Sequence, residues 1–183
     1  MYLCYFTSYV NFIDNIICIH DLNHTNLNQI SQIQKTKGAT LFALDIKRTE
    51  TMTGETNTVV RLCVAVKRKL QLYYWKEKKK IFEEFFKDEL SIPDVPRELA
   101  WCGETLILGY RGLSYTLMDL QGKTTELFPT GKSLEPSITK ISDTSFVLGK
   151  DSQSVVTNTS GKLIQHNPVK WSDFPSALGN NKF

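Results

Sequence analysis

A chain of 183 residues with 41% hydrophobic and 22% charged side chains can bury a sizeable core and lacks the composition of a disordered tail. Ten Phe, seven Tyr and three Trp favour a sheet interior. The net charge of +3, with acidic residues interspersed among the basic ones, supplies no single-sign field and gives no ground for a nucleic-acid partner.

Residues 1–10 hold no Lys or Arg, so they lack the basic start of a signal peptide. Asn11, Asp14 and Asn15 interrupt the apolar run well before the ~20 residues of a membrane span. Residues 1–14 are therefore left as an uncertain N-terminal segment. Strands are expected at 15–20 and, after a polar turn, at 27–33. Residues 40–46 alternate as a strand, and the Thr- and Glu-rich stretch 47–58 reads as a loop insertion. Strands 62–66 and 70–75 flank Lys67-Arg68-Lys69 as a hairpin. Residues 81–86 follow the next basic turn. The Phe82, Phe85 and Phe86 spacing would suit a short helix over 77–86, but the strand reading is preferred.

After two prolines, Pro93 and Pro96, the pattern restarts with strands at 98–102, 105–110, 113–120 and 124–128. Gly103, Gly112 and Gly122 punctuate them. A second restart at Gly131 and Pro136 gives strands at 138–142, 145–148, 154–157 and 162–165. Sets of four short strands thus begin near Thr40, Arg97 and Ser137, with about half a set before them. The last two starts lie 40 residues apart, within the ~40–45 residues of a propeller blade. The fold class expected is all-β: a partial β-propeller of about three to four four-stranded blades, truncated at both ends. Its body spans 15–175, and 176–183 is a disordered tail. Exposed blade faces would leave it marginally stable.

The search for chemistry returns little. Cys4, Cys18, Cys63 and Cys102 form no CxxC pair and no zinc spacing, and read as reduced, mostly buried thiols of a cytosolic protein. Gly131-Lys132-Ser133 ends like a phosphate loop, but Glu126 stands where the first glycine is required. Gly122-Lys123-Thr124 fails in the same way at Leu117. His20 and His24 are four apart, yet lie in strand and turn, and His166 is the third and last histidine. No GxSxG or GxGxxG occurs. The chain is read as no enzyme, with no catalytic residue, cofactor or metal site. Trp75, Trp101 and Trp171 are assigned to blade packing.

One charge feature stands out. Between Arg61 and Lys80 the basic residues Arg61, Lys67, Arg68, Lys69, Lys76, Lys78, Lys79 and Lys80 face only Glu77. Lys67, Arg68, Lys69, Lys76, Lys78, Lys79 and Lys80 are the candidate contacts for an acidic partner or anionic lipid; the alternative is two solvated turns. Successive turns of an up-and-down blade lie at opposite ends of its strands, which argues against one joint patch.

The segments LCVAVKRKLQLYYWK (62–76), IPDVPRELAWC (92–102) and ELFPTGKSLEP (126–136) resemble the citron-homology (CNH) domain, most closely that of the vacuolar protein sorting 39 (Vam6-like) family. KGATLFAL (37–44) and NIICIHDL (15–22) are similar as well, so the resemblance covers roughly 15–173. It implies a β-propeller belonging to a subunit of the HOPS tethering complex, associated with a late-endosomal Rab GTPase and peripheral on late endosomes, lysosomes or vacuoles. The related CORVET subunit shares the domain, and CNH modules also accompany kinases and Rho exchange factors. No catalytic residue belongs to the family pattern. Residues 1–12 match nothing in it, and the α-solenoid that follows the propeller in the family is absent after Phe183.

Overall fold

The computed structural model describes residues 2–4, 8–21, 28–50, 54, 56–85, 88–131, 135–142, 144–164 and 167–172. They form two compact units, 1–93 and 94–183. Each unit holds two antiparallel sheets whose strands are ordered as they occur in the chain.

In the first unit, β1 (Tyr2–Cys4), β2 (Ser8–Ile13), β3 (Ile16–Asp21) and β4 (Gln29–Ile33) make one sheet. The half set expected before Thr40 is thus a full set. β2 supplies the missing pairing, with Tyr9 opposite His20 and Ile13 opposite Ile16. Asp14 and Asn15, both at positive φ, close the β2–β3 hairpin, a conformation that short polar side chains tolerate well. A single 3-10 turn over Gln34–Thr36 follows. The buried Thr36 hydroxyl accepts from the Ile17 N–H at 2.9 Å and donates to the Ile33 carbonyl at 2.6 Å. The Asn15 carbonyl then accepts from Gly38 and Ala39, tying the first sheet to the second.

The second sheet contains β5 (Ala39–Glu50), β6 (Thr56–Val66), β7 (Lys69–Lys76) and β8 (Ile81–Glu84), with β9 (Leu90–Ser91) pairing to the start of β7. Most of the expected insertion at 47–58 is strand, since β5 and β6 stay in register out to Glu50 opposite Thr56. Threonine and valine are strand formers even in a polar stretch, and the long ribbon satisfies their backbone groups. Residues 81–84 are strand rather than helix. The unit's core gathers Val10, Ile17, Ile19, Val60, Leu62, Val64, Tyr73 and Phe82, with Phe12, Phe42 and Trp75 packed against it.

Inside this apolar sheet, Asp45 and Arg61 face each other across β5 and β6. Their side chains are only 6% and 5% exposed, and the guanidinium Nη2 donates to Asp45 Oδ2 at 2.6 Å. Such a pair offsets its own desolvation only while both partners are present.

In the second unit, β10 (Glu98–Cys102), β11 (Thr105–Gly109), β12 (Ser114–Asp119) and β13 (Thr124–Pro129) reproduce the expected strands within two residues at each end. The last sheet is β14 (Ile138–Lys140), β15 (Ser145–Lys150), β16 (Gln153–Asn158) and β17 (Val169–Lys170). Its outer strand is not the expected 162–165. Leu163 makes one isolated bridge to Thr157, and the ladder resumes at Val169 opposite Ser154. The Asn158 side chain explains the departure: its Oδ1 accepts from the Ser160 and Lys162 N–H groups and turns the chain there.

Tyr115 joins the two sheets of this unit. Its buried hydroxyl lies 2.5 Å from the Gly149 carbonyl and accepts from the Ser137 N–H at 2.8 Å. Burial pushes this phenol up to about 12. The approach is so close that a Cβ at Gly149 would run into the Ser137 hydroxyl, and one at Gly131 into the Asp151 carboxylate. Cys102, Ile107, Tyr115, Leu117, Phe146 and Leu148 form the core.

Three measurements check this account. Tyr115→Phe strands a buried N–H and carbonyl, so urea unfolding should show a loss of about 1–3 kcal/mol. Arg61→Met should cost about 3–5 kcal/mol, and adding Asp45→Leu should recover part of that loss rather than deepen it. Cys18, Cys63 and Cys102 are buried free thiols, and burial raises the Cys18 and Cys63 thiols above their ordinary value. In a Cys4→Ser background, maleimide labelling at neutral pH should therefore be negligible until denaturant is added.

Candidate interaction surface

The basic residues singled out in the sequence fall on the second sheet, at the two ends of β7. A strand of eight residues spans roughly 23 Å at ~3.3 Å per residue, so the turns before and after it are well separated. Lys67, Arg68 and Lys69 are brought together at one end; Lys76, Lys78, Lys79 and Lys80 are brought together at the other. Arg61 joins neither, being committed to Asp45 inside the sheet.

At the first end Lys67 adopts positive φ, and the Arg68 carbonyl accepts from the Ile92 N–H at 3.1 Å. That bond brings residues 88–92 alongside β7. Lys69 Nζ reaches Glu89 Oε2 at 2.6 Å, while the buried Gln71 amide donates to Glu89 Oε1 at 2.7 Å and to the Lys35 carbonyl at 3.1 Å. The Tyr73 hydroxyl in turn donates to Gln71 Oε1 at 2.9 Å. The lysine first, and the glutamine second, hold the Glu89 carboxyl below its usual range. Lys35 pairs with Glu84 at 2.6 Å across the same cleft, which has a volume of about 540 Å³ and also admits Asp88 and Ser91. The cleft is a mixed-charge surface whose lysines are already paired. Sequence reasoning missed it because Lys35, Gln71, Glu84 and Glu89 are far apart in the chain.

At the other end the turn 77–80 is built around Glu77. Its carboxylate accepts from Lys80 and, at 2.6 Å, from the Trp75 indole N–H. These two bonds, Lys80 foremost, lower the Glu77 carboxyl. Lys79 Nζ lies 2.6 Å from Glu83 Oε1, and the Tyr74 hydroxyl donates to the other oxygen of Glu83 at 3.1 Å. Lys76 Nζ sits 4.3 Å above the Tyr74 ring, and Tyr74 meets the edge of Phe85 at 6.1 Å. Lys78 is exposed.

Of the discarded motifs, Gly122-Lys123-Thr124 falls where a turn reading puts it. Gly122, at positive φ, precedes Lys123 in the β12–β13 turn, where Asp119 Oδ1 accepts from the Gln121 and Lys123 N–H groups; Thr124 then opens a strand. Of the second glycine motif, Gly131 is buried, while Lys132 and Ser133 lie outside the described residues. His20 is buried on β3, and His24 and His166 lie outside the described residues. Among the described residues no three His, Cys, Asp or Glu side chains gather as a metal site, and no helix is long and apolar enough to cross a membrane. Trp101 is buried. Trp171 is 38% exposed and donates its indole N–H to the Ser154 hydroxyl at 2.9 Å.

Comparison with known proteins agrees with the fold. Among solved structures the chain is similar to BBS1N, crystallised in complex with ARL6DN and soaked with lead: the TM-score is 0.56 at 13% identity, over 86% of this chain and 46% of that one. The fold is all-β and of β-propeller type, as expected from the repeated strand sets. The Vam6/Vps39-like protein of Homo sapiens is 41% identical over 170 residues, which is 92% of this chain and 18% of the relative. The vacuolar protein sorting-associated protein 39 homolog of Drosophila melanogaster is 35% identical over 68% of this chain, and vacuolar sorting protein 39 of Arabidopsis thaliana is 25% identical over 88% of it. The chain spans 14% and 15% of those two relatives. The CNH domain model matches residues 13–181, and the chain belongs to the CNH domain family.

Proposed function

We propose that the chain is a non-catalytic protein-interaction module of a HOPS-type tethering subunit, acting in tethering and fusion at late endosomes and lysosomes or vacuoles. The observation that carries this reading is the match at 41% identity over 92% of the chain to a protein named Vam6/Vps39-like. The partners are the other tethering subunits and a late-endosomal Rab GTPase, and the module works peripherally on the cytoplasmic side of the membrane. The side chains support a binding role. The charged residues of the second sheet pair with one another along turns and a cleft, an arrangement suited to exchanging partners at an interface.

The test is a pull-down of the full-length protein against GTP- and GDP-loaded late-endosomal Rab, with tethering subunits probed in the same eluate. Recovery of the subunits together with the GTP-loaded form is expected. A Rho-type GTPase or a kinase substrate in their place would overturn the reading and move the chain to the regulatory class of CNH modules.

A further inference from the structure

We propose that the β7–β8 turn is a contact site for an anionic lipid bilayer, and that the β6–β7 turn is not. Over residues 76–83, four lysines stand against two glutamates, which leaves a surplus of two positive charges on one short turn. The lysines are available: the side chains of Lys79 and Lys80 are 66% and 43% exposed, and Lys78 is exposed as well. Their pairs with Glu83 and Glu77 are surface ion pairs of small net value, which a denser field of negative charge can replace.

Two features favour a bilayer over a protein acid or a single phosphate. The cluster contains lysine and no arginine. Ammonium groups are flexible point charges that respond to the summed field of many headgroups, whereas fixed bidentate recognition of one carboxylate or phosphate calls for guanidinium. An aromatic edge is joined to Lys76 through Tyr74: Phe85, 42% exposed, meets the Tyr74 ring edge-on, and Lys76 lies over that same ring. A partly exposed apolar ring linked in this way to a long-stemmed cation suits the boundary between headgroups and acyl chains. The β6–β7 turn contains Arg68, and its Lys69 shares Glu89 with the buried Gln71 at the mixed-charge cleft. This inference stands apart from the GTPase reading, because the bilayer is met by the chain without a protein partner.

The test is co-sedimentation of the whole chain with vesicles of phosphatidylcholine alone or of phosphatidylcholine with phosphatidylserine, in the absence of any GTPase. Binding should require the anionic lipid and weaken as salt is raised. Lys78→Glu/Lys79→Glu/Lys80→Glu should lower the bound fraction about tenfold or more. Lys67→Glu/Arg68→Glu/Lys69→Glu, carrying the same change of charge, should bind like the parent chain. Circular dichroism melts establish that each variant is folded. Equal binding to neutral vesicles, no loss in the β7–β8 variant, or equal losses in both variants would each overturn the assignment.

Discussion

A sheet that is apolar on both faces cannot stand alone in water, because covering one face leaves the other exposed. The central strands here are of that kind. Six consecutive residues of β6, from Val60 to Ala65, are buried, and so are Leu106, Ile107 and Leu108 of β11. Alternation therefore fails to mark an inside and an outside on these strands, and each sheet must be covered by its neighbour. Within each unit the sheets cover one such face in pairs, sharing one core between β2, β3, β6 and β7 and another between β11, β12 and β15.

Such a core leaves little freedom for polar groups, and three of those it contains show how they are bound. Asp45 and Arg61 pair across adjacent strands, Thr36 closes the turn that leads into the second sheet, and Tyr115 bridges two sheets through one hydroxyl. The chemistry available for recognition is consequently displaced to strand ends. β7 illustrates this. Its interior packs Leu70, Leu72 and Tyr73, while its two ends carry the lysines and the glutamates that restrain them. Because the ends of one strand are held apart by its own length, the turns are independent surfaces that can serve different partners.

The close match of β10 to β13 with their sequence-based expectation has a local cause. Gly103, Gly112 and Gly122 all sit at positive φ, which glycine adopts without the penalty of a side chain, so turn and strand boundaries are written residue by residue. The departures occur where local signals mislead. Residues 47–58 look like a loop because they are polar, yet much of the segment extends the β5–β6 ladder. Residues 162–165 look like a strand because Leu163 and Ile164 are apolar, yet the Asn158 turn leaves them a single bridge, and the pairing strand lies further on at Val169–Lys170.

The sequence by itself determined the class of fold, the four-strand period, the buried thiols and the presence of two basic turns on either side of one strand. All of these depend on residues close together in the chain. Only the tertiary structure decided that Arg61 is a core residue and not part of a basic surface, that Glu89 and Gln71 line a cleft with Lys35, and that Phe85 packs on the Tyr74 ring that carries Lys76. These facts depend on cross-strand register and on contacts between residues 11 to 36 positions apart. No local pattern of polar and apolar residues specifies which side chains will stand opposite one another once the ladders close.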